Sequence, residues 1–255
     1  MTRTLALVGV AGGVGTTRTL VESAATLARD GRDVVVLDAA YATQGLSEFL
    51  GGRIDPDLTA LCLSPDRPLA DGLYDLELGP GVDDAPGRVA LAPAFAPFER
   101  LARAKTTDAA EAFEDRVAEA ATAFDHVLVD TPPVGANQHL AAVNAVDRVV
   151  LVAPGTEHGA DARRRMVDRL RDVGTTPAMT VAVGGPLPAA SATVPDLPGT
   201  PAEGVQCLDD DALGGRMMTA VESLLDTSLA VEFEDDGALG KVKAGVEELR
   251  GRAED

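Results

Sequence analysis

The chain has 255 residues, of which 45% are apolar, and a formal net charge of −19 at pH 7. This length suits one large α/β domain or two small ones. No apolar stretch is long enough to cross a bilayer, and the acidic surface, with no evident basic patch, argues against direct binding of nucleic acid. We find no cleavage site after the first apolar run, so we expect no signal peptide and a cytoplasmic protein.

The first elements along the chain are a short strand, a glycine loop and a helix. Residues 5–10 are an apolar run that predicts a buried strand, and three glycines follow within residues 12–15. A helical pattern then covers residues 16–29. Because backbone N–H groups converge in such a loop and the helix dipole favours negative charge, the stretch predicts a phosphate cradle. A working phosphate-binding loop also has a lysine directly after its last glycine, where this chain has Thr16.

A second strand is predicted at residues 33–38, and it ends at a carboxylate. Its uninterrupted apolar run is typical of a central parallel strand that is covered on both faces. Ligands of open α/β sheets bind beyond the carboxyl ends of the strands, which makes Asp38 a candidate site residue. An aspartate that only forms the turn after the strand would give the same pattern.

The stretch from residue 51 to residue 95 is the least regular part of the sequence. Short helices are predicted at 57–61 and 69–75, a Pro- and Gly-rich loop at 79–87 and a strand at 88–93. A long amphipathic helix follows at 107–123. We place no domain boundary in this region.

The strand predicted at residues 125–130 ends in Asp130 and is followed by a rigid Thr-Pro-Pro turn. A carboxylate at the end of a buried strand needs a partner, because an isolated buried charge is costly. A metal-bound water or the hydroxyl of Thr17 would supply that partner. Asp130 and Thr17 are therefore candidates for one metal site.

The second half of the chain alternates between helices and strands, predicted at 136–146, 148–153, 157–173 and 179–183. Beyond Pro186 we expect a long exposed loop, a last strand at 204–208 and a helix at 212–230. A narrow apolar stripe predicts a further, C-terminal helix, which we expect to dock on its own domain or on a partner. The two cysteines, Cys62 and Cys207, lack metal-ligand spacing, so we expect two buried thiols and no iron–sulfur cluster.

Several of these segments resemble the ParA/MinD family of P-loop ATPases. The Gly-Gly-Val-Gly of residues 12–15, followed by Thr17, resembles the deviant Walker A loop K-G-G-x-G-K-T-[ST]. The Asp-Thr-Pro-Pro that begins at Asp130 resembles the D-[TCS]-P-P of switch II, and Asp38 resembles the first carboxylate of the D-x-D in switch I. The segments occur in the family's order over residues 3–230.

The resemblance implies a single-domain P-loop fold with a mostly parallel central sheet flanked by helices on both faces. It places this domain at residues 1–232, with a C-terminal helix or tail at 233–255. It implies Mg²⁺ ligands at Thr17, Asp38 and Asp130. It also implies that six loop residues bind the phosphates of ATP: Gly12, Gly13, Val14, Gly15, Thr16 and Thr17.

The sequence departs from the family where charge is needed. The family has one lysine before the glycine pair and one after the last glycine, and this chain has Ala11 and Thr16 there. Ala40 replaces the second carboxylate of switch I, which leaves Asp38 as a remnant and gives no confident catalytic residue. ATP with Mg²⁺ stays open as a cofactor, although these losses disfavour it. Arg18 is the nearest cation that could replace the missing lysine. It lies two residues after Thr16, however, so we expect it to project from another side of the helix.

The composition resembles that of haloarchaeal proteins. Acidic residues are spread along the whole chain, and lysine occurs only three times, at Lys105, Lys241 and Lys243. A surface with this much negative charge repels itself in dilute salt and is tolerated where salt screens it.

Three functions stay open from the sequence. The first is a degenerate ParA/MinD-like scaffold or regulator that hydrolyses ATP weakly or not at all and binds a protein partner, either a second copy or an intact family member. The second is an atypical but functional ATPase of intracellular positioning or partitioning. The third is a peripheral membrane adaptor that uses the C-terminal helix, for which no aromatic anchor is present in the stripe.

Overall fold

The computed structural model describes residues 3–78 and 85–231. The described residues form eight strands: β1 (Thr4–Gly9), β2 (Val34–Asp38), β3 (Tyr74–Asp75), β4 (Val89–Ala92), β5 (His126–Thr131), β6 (Arg148–Pro154), β7 (Met179–Val183) and β8 (Ala192–Val194). They also form seven α-helices: α1 (Thr16–Arg29), α2 (Leu58–Cys62), α3 (Phe98–Arg103), α4 (Thr107–Ala123), α5 (Asn137–Asn144), α6 (Glu157–Asp172) and α7 (Asp211–Leu225). Short 3-10 helices lie at Gly45–Phe49, Leu69–Gly72 and Pro201–Glu203.

All eight strands belong to one sheet, in the order β3-β4-β2-β5-β1-β6-β7-β8. Neighbouring strands are parallel except β3, which runs antiparallel to β4. Every residue of β1 and of β2 is buried, as expected for parallel strands covered on both faces. The predicted α/β fold with a mostly parallel central sheet is confirmed.

Helices cover both faces of the sheet, and each face has its own apolar cluster. On one face, Leu20 and Leu27 of α1 lie in a buried cluster with Met217 of α7. On the other face, Phe113 of α4 and Met166 of α6 lie in a second buried cluster. The apolar positions of these helices recur at helical spacing because only one side of each helix faces the sheet.

The register of the strands brings the predicted site residues to one edge. β1 lies between β5 and β6, and Leu7 of β1 is level with Asp130 of β5. On the other side of β5, Asp38 of β2 is level with the same aspartate. The carboxyl ends of three parallel strands therefore meet where the glycine loop leaves β1.

The last strand is not where the sequence predicts it. Residues 204–208 form no strand, because the N–H groups of Gln206 and Cys207 donate to the buried carboxylate of Glu22, at 2.8 to 3.1 Å, and not to a neighbouring strand. Strand β8 lies instead inside the stretch predicted to be a loop, and it pairs with β7. Three residues are too few to show a period of two in a Pro- and Ala-rich sequence.

Other predicted elements have different outcomes. The helix predicted at 69–75 is a 3-10 turn followed by β3.

Both cysteines are buried and free, as predicted, and they lie in the clusters on opposite faces of the sheet. The predicted C-terminal helix and residues 79–84 of the predicted loop lie outside the described residues. Among the helices that the structure describes, none combines the length and the apolar character needed to cross a membrane.

Candidate functional site

The loop between β1 and α1 has the backbone geometry of an anion cradle. Gly13 and Gly15 have φ of 72° and 82°, in the left-handed region that favours glycine. Helix α1 begins directly after Gly15, which provides no side-chain cap for the first turn. Built Cβ atoms at Gly12 and Gly13 would meet nothing within 4 Å, so the concave side of the loop is open. The loop therefore has the backbone shape that the sequence predicts, and phosphate binding by it stays a prediction.

Gly9, the last residue of β1, must lack a side chain because the loop packs closely against it. The sequence analysis did not identify this residue. A Cβ at this position would lie 2.8 Å from Oγ1 of Thr16 and 3.2 Å from the carbonyl oxygen of Ala11. The loop therefore folds back against the backbone of the strand that precedes it. The signal was a glycine just before the recognised motif, which is weak on its own.

We expect Gly9→Ala to destabilise the protein by about 1 to 3 kcal/mol, because the added methyl group must push the loop away from the strand. Gly12→Ala is the matched control, since its Cβ would contact nothing within 4 Å and its φ is not positive. That control should change the free energy of unfolding by less than about 0.5 kcal/mol. Chemical denaturation in molar KCl measures both variants, and equal losses would contradict the close approach at Gly9.

Thr17 and Asp130 are joined directly. The hydroxyl of Thr17, in the first turn of α1, donates to Oδ2 of Asp130 at 2.5 Å. Asp130 is 1% exposed and lines the cavity beside the loop. The structure therefore brings together two of the three residues that the resemblance assigns to Mg²⁺.

Asp38 is placed differently from these two residues. It is fully buried, and it is not among the residues that line the cavity. One carboxylate oxygen accepts from the N–H of Ala40 at 2.7 Å and the other from the N–H of Ala94 at 3.3 Å. Asp38 thus links the turn after β2 to the turn after β4. Unlike Asp130, it does not line the loop cavity.

Burial raises the pKa of both carboxyl groups. The pKa of Asp38 rises from 3.8 to about 8, first because burial disfavours the charged form and second because the charge of Asp130 is close. The N–H groups of Ala40 and Ala94 act in the opposite direction. The pKa of Asp130 rises from 3.8 to about 6 through burial, against the hydrogen bond from Thr17. A divalent cation beside these two carboxyl groups would stabilise their charged forms and so lower both pKa values.

The donor set fits Mg²⁺ held together with a phosphate ligand. Mg²⁺ is commonly bound through one or two carboxylates, several waters and the oxygens of a phosphate. Thr17 and Asp130 supply a hydroxyl and a carboxylate at the loop. Within the described residues, no group of three or more His, Cys, Asp and Glu side chains could hold a metal by itself. The ion would therefore depend on the phosphate for its remaining ligands.

The loop encloses a cavity of about 330 Å³, which we call the loop cavity. All six residues that the resemblance assigns to phosphate binding line it: Gly12, Gly13, Val14, Gly15, Thr16 and Thr17. Ala11 lines it too, so both positions that carry lysine in the family face this space without one. Among the described residues that line it, Arg18 is the one basic side chain.

Residues of two short 3-10 helices also line the loop cavity, and the sequence analysis did not predict these contributions. Gly45 and Phe49 come from the 3-10 helix after β2, and Pro201 comes from the 3-10 helix that precedes α7. A Cβ at Gly45 would lie 3.4 Å from Oγ1 of Thr17, so the first of these helices passes close to the metal side of the site. The site is therefore built from segments that lie far apart in the sequence.

No protein-family model matches this sequence, and no curated protein matches it. Solved structures do match. MinD from Pyrococcus horikoshii OT3, solved with Mg-ADP, is 18% identical with a TM-score of 0.69, over 88% of this chain and 96% of that chain. MinD in the MinC:MinD complex of Aquifex aeolicus is 18% identical with a TM-score of 0.69, over 90% and 98%. The Cyanothece McdA(D38A)–ATP complex is 18% identical with a TM-score of 0.66, over 91% and 99%.

These likenesses extend over nearly the whole of each compared chain. At 18% identity they establish the architecture. The chain has the fold of the ParA/MinD ATPases.

Proposed function

We propose that this protein is a ParA/MinD-like scaffold or regulator that acts through a protein partner and hydrolyses ATP weakly or not at all. The observation that carries the proposal is the loop cavity, where Ala11 and Thr16 stand at the two lysine positions. Phosphoryl transfer depends on positioning and on stabilisation of the charge that develops on the phosphate. Removal of one preorganised charge or donor commonly costs about 3 to 4 kcal/mol of transition-state stabilisation.

The remaining parts of the site support binding without efficient turnover. The open loop would hold phosphate oxygens through its N–H groups, and Thr17 with Asp130 would hold the Mg²⁺ ion. Mg-ATP, when bound, supplies a reactive phosphoanhydride. Neither lysine position offers an ammonium group to grip it.

We infer that the partner is a protein. The MinD of Aquifex aeolicus was solved in a complex with MinC, which supports partner binding by this fold in general. Either a second copy of this chain or an intact ParA/MinD homologue fits the proposal, and the homologue would contribute its own lysine. The net charge of −19 argues against direct contact with nucleic acid, and we propose that the protein acts in the cytoplasm.

The test is to restore the lysines and measure ATP binding and turnover in molar KCl. We expect negligible turnover by the natural chain and an affinity for Mg-ATP that rises at least about tenfold in Ala11→Lys/Thr16→Lys, since a charge-assisted contact contributes about 1.5 to 3 kcal/mol. Ala102→Lys/Ala123→Lys adds the same charge at exposed positions and should change nothing. Turnover by the natural chain at the rate of an intact MinD, assayed alongside, would reject the proposal.

A functional ATPase is the second candidate, and the hydrogen bond between Thr17 and Asp130 favours it. In this case a high concentration of K⁺ would compensate for the missing ammonium groups. ATP turnover in molar KCl that vanishes in molar NaCl would support this candidate over the scaffold.

The membrane adaptor stays a prediction, because its helix lies outside the described residues. Flotation with liposomes tests it directly. The full chain would float with the lipid, and a chain that ends before residue 237 would not.

A further inference from the structure

Two aromatic side chains are exposed where the chain leaves β4 and enters helix α3. Phe95 is 51% exposed and Phe98 is 86% exposed. Helix α3 has no buried residue, so the domain itself does not cover these rings. Large apolar side chains that are exposed next to one another mark a surface that another molecule covers.

Hydrogen bonds to two other segments hold the backbone that carries these rings. The N–H of Phe95 donates to the buried carboxylate of Asp57 at 2.8 Å, and Arg100 of α3 pairs with the same carboxylate at 2.9 Å. The side-chain amide of Gln44 donates to the carbonyl oxygen of Ala96 at 3.0 Å. The rings are therefore presented by a fixed backbone, which lowers the entropy cost of binding a partner.

The exposed side of α3 combines a large with a small side chain and an acid with a base. Phe98 and Ala102 are exposed and lie four residues apart, as do Glu99 and Arg103. Residues four apart are neighbours on one side of a helix, so these residues form two adjacent rows. Within the described residues no ion pair joins Glu99 to Arg103. We call these four residues, together with Phe95, the α3 surface.

Two copies of the α3 surface complement each other when their helices run antiparallel. A two-fold axis between two such helices places the start of each helix against the end of the other. The large ring of Phe98 then lies against the small Ala102 of the second copy. In the adjacent row, Glu99 lies against Arg103 of the second copy. Because each copy has a net charge of −19, opposite charges that meet at the contact are needed to offset the repulsion between copies.

We propose that the α3 surface binds a second copy of this chain, through antiparallel contact of the two α3 helices, and that this association needs no nucleotide. None of the five residues of the surface lines the loop cavity. The inference rests on the proposed function in one respect, that the protein acts through a protein partner.

The size of the α3 surface sets the expected strength of the association. Four phenylalanine rings bury up to roughly 1,000 Å², whereas specific protein interfaces bury about 1,200 to 2,000 Å² in total. The contact is therefore at the small end of the range. We expect a weak dimer with a Kd of about 10 to 100 μM.

Sedimentation equilibrium of the full chain in molar KCl, without nucleotide, tests the proposal. We expect the natural chain to pass from monomer to dimer as its concentration rises. Phe95→Ser/Phe98→Ser should weaken the dimer by at least about tenfold, because it removes the aromatic anchors from both copies. Val173→Ser is the matched control, since it removes an apolar side chain that is 36% exposed at the end of α6, and it should leave association unchanged. Thermal melting shows whether each variant is folded.

Charge reversal tests the antiparallel arrangement, at the lowest salt concentration at which the variants are folded. Glu99→Arg and Arg103→Glu each bring like charges together across the axis, and each should weaken self-association by about threefold or more. When the two variants are mixed, every arginine faces a glutamate again, so the mixed dimer should form as well as the natural one. A loss of folding or a general change of surface charge would not produce this recovery.

The proposal is overturned if the natural chain is a monomer at every concentration, if it forms a dimer only with Mg-ATP, or if Phe95→Ser/Phe98→Ser associates as the natural chain does. It is also overturned if the mixed charge variants associate no better than either one alone. A monomer that floats with liposomes, and no longer does so in Phe95→Ser/Phe98→Ser, would assign the α3 surface to a membrane instead. Because association is measured without nucleotide, each of these failures is distinct from a failure of the proposed function, which efficient ATP turnover would show.

Discussion

In metal-free buffer the protein is expected to lose stability as the pH rises from 6 to about 8. The reason is the Asp38 carboxyl group, whose pKa is raised from 3.8 to about 8 by burial and by the charge of Asp130. In this range the folded chain keeps a proton that the unfolded chain has released. Unfolding therefore releases a proton, and the free energy of unfolding falls with rising pH until the folded group also ionises.

The effect is large because the shift is large. One pKa unit corresponds to about 1.4 kcal/mol, so two pH units within this window remove roughly 3 kcal/mol. For a domain of this size the melting temperature should fall by roughly 6 to 12 °C. Asp130 contributes with the same sign at lower pH, between 3.8 and its raised pKa of about 6.

Melting temperatures of the natural chain and of Asp38→Asn, measured across this range in molar KCl, check the prediction. The side chain at position 38 of this variant is neutral at every pH, so the melting temperature should stay nearly flat across this range. Excess Mg²⁺ with ADP should raise the melting temperature of the natural chain most at pH 8, where a cation stabilises the ionised carboxylates. Parallel slopes in the two proteins would show that Asp38 does not control the pH dependence.

Glu22→Ala is expected to be the most destabilising single substitution in helix α1, by about 3 to 5 kcal/mol. The Glu22 carboxylate is fully buried and accepts from Arg18 and from the N–H groups of Gln206 and Cys207. Truncation to alanine leaves the Arg18 guanidinium without its carboxylate partner and the N–H groups of Gln206 and Cys207 without their acceptor. It also releases the turn that precedes α7.

Asp71→Ala is the matched control for this prediction. Arg67 and Asp71 form an ion pair with the same spacing of four residues, but both side chains are more than 40% exposed. Exposed pairs contribute about 0 to 1 kcal/mol, because solvent screens them. Denaturant unfolding in molar KCl should separate the two variants by at least about 2 kcal/mol. Equal losses would mean that Glu22 is not the internal anchor of the C-terminal half.

Both predictions concern buried carboxyl groups, which differ in the number of hydrogen-bond donors around them. Glu22 has a guanidinium and backbone donors around it, whereas Asp38 and Asp130 have fewer donors. The internal anchor is therefore paired within the protein. The acids beside the loop cavity are left in an environment that a cation with its phosphate ligand would complete.

The local features of the site could be predicted from the sequence. The strand that ends at Gly9, the loop over residues 12–15 and the carboxylates at the ends of β2 and β5 each depend on residue type and spacing within a few positions. The missing lysines at Ala11 and Thr16 could be read in the same way. Parallel pairing then brings the strand ends together, because the sheet aligns them at one edge.

The sequence by itself determined the α/β architecture and the loss of charge at the loop, because strand periods, glycines and lysines are local properties of the chain. Only the tertiary structure decided three things: that Asp38 is buried away from the loop cavity, that Glu22 anchors residues 206–207, and that Arg18 lines the loop cavity. These outcomes depend on contacts between residues up to 185 positions apart, such as Glu22 with Cys207. No local pattern encodes such a contact, since it forms only when the packed sheet brings both ends of the chain to the same helix.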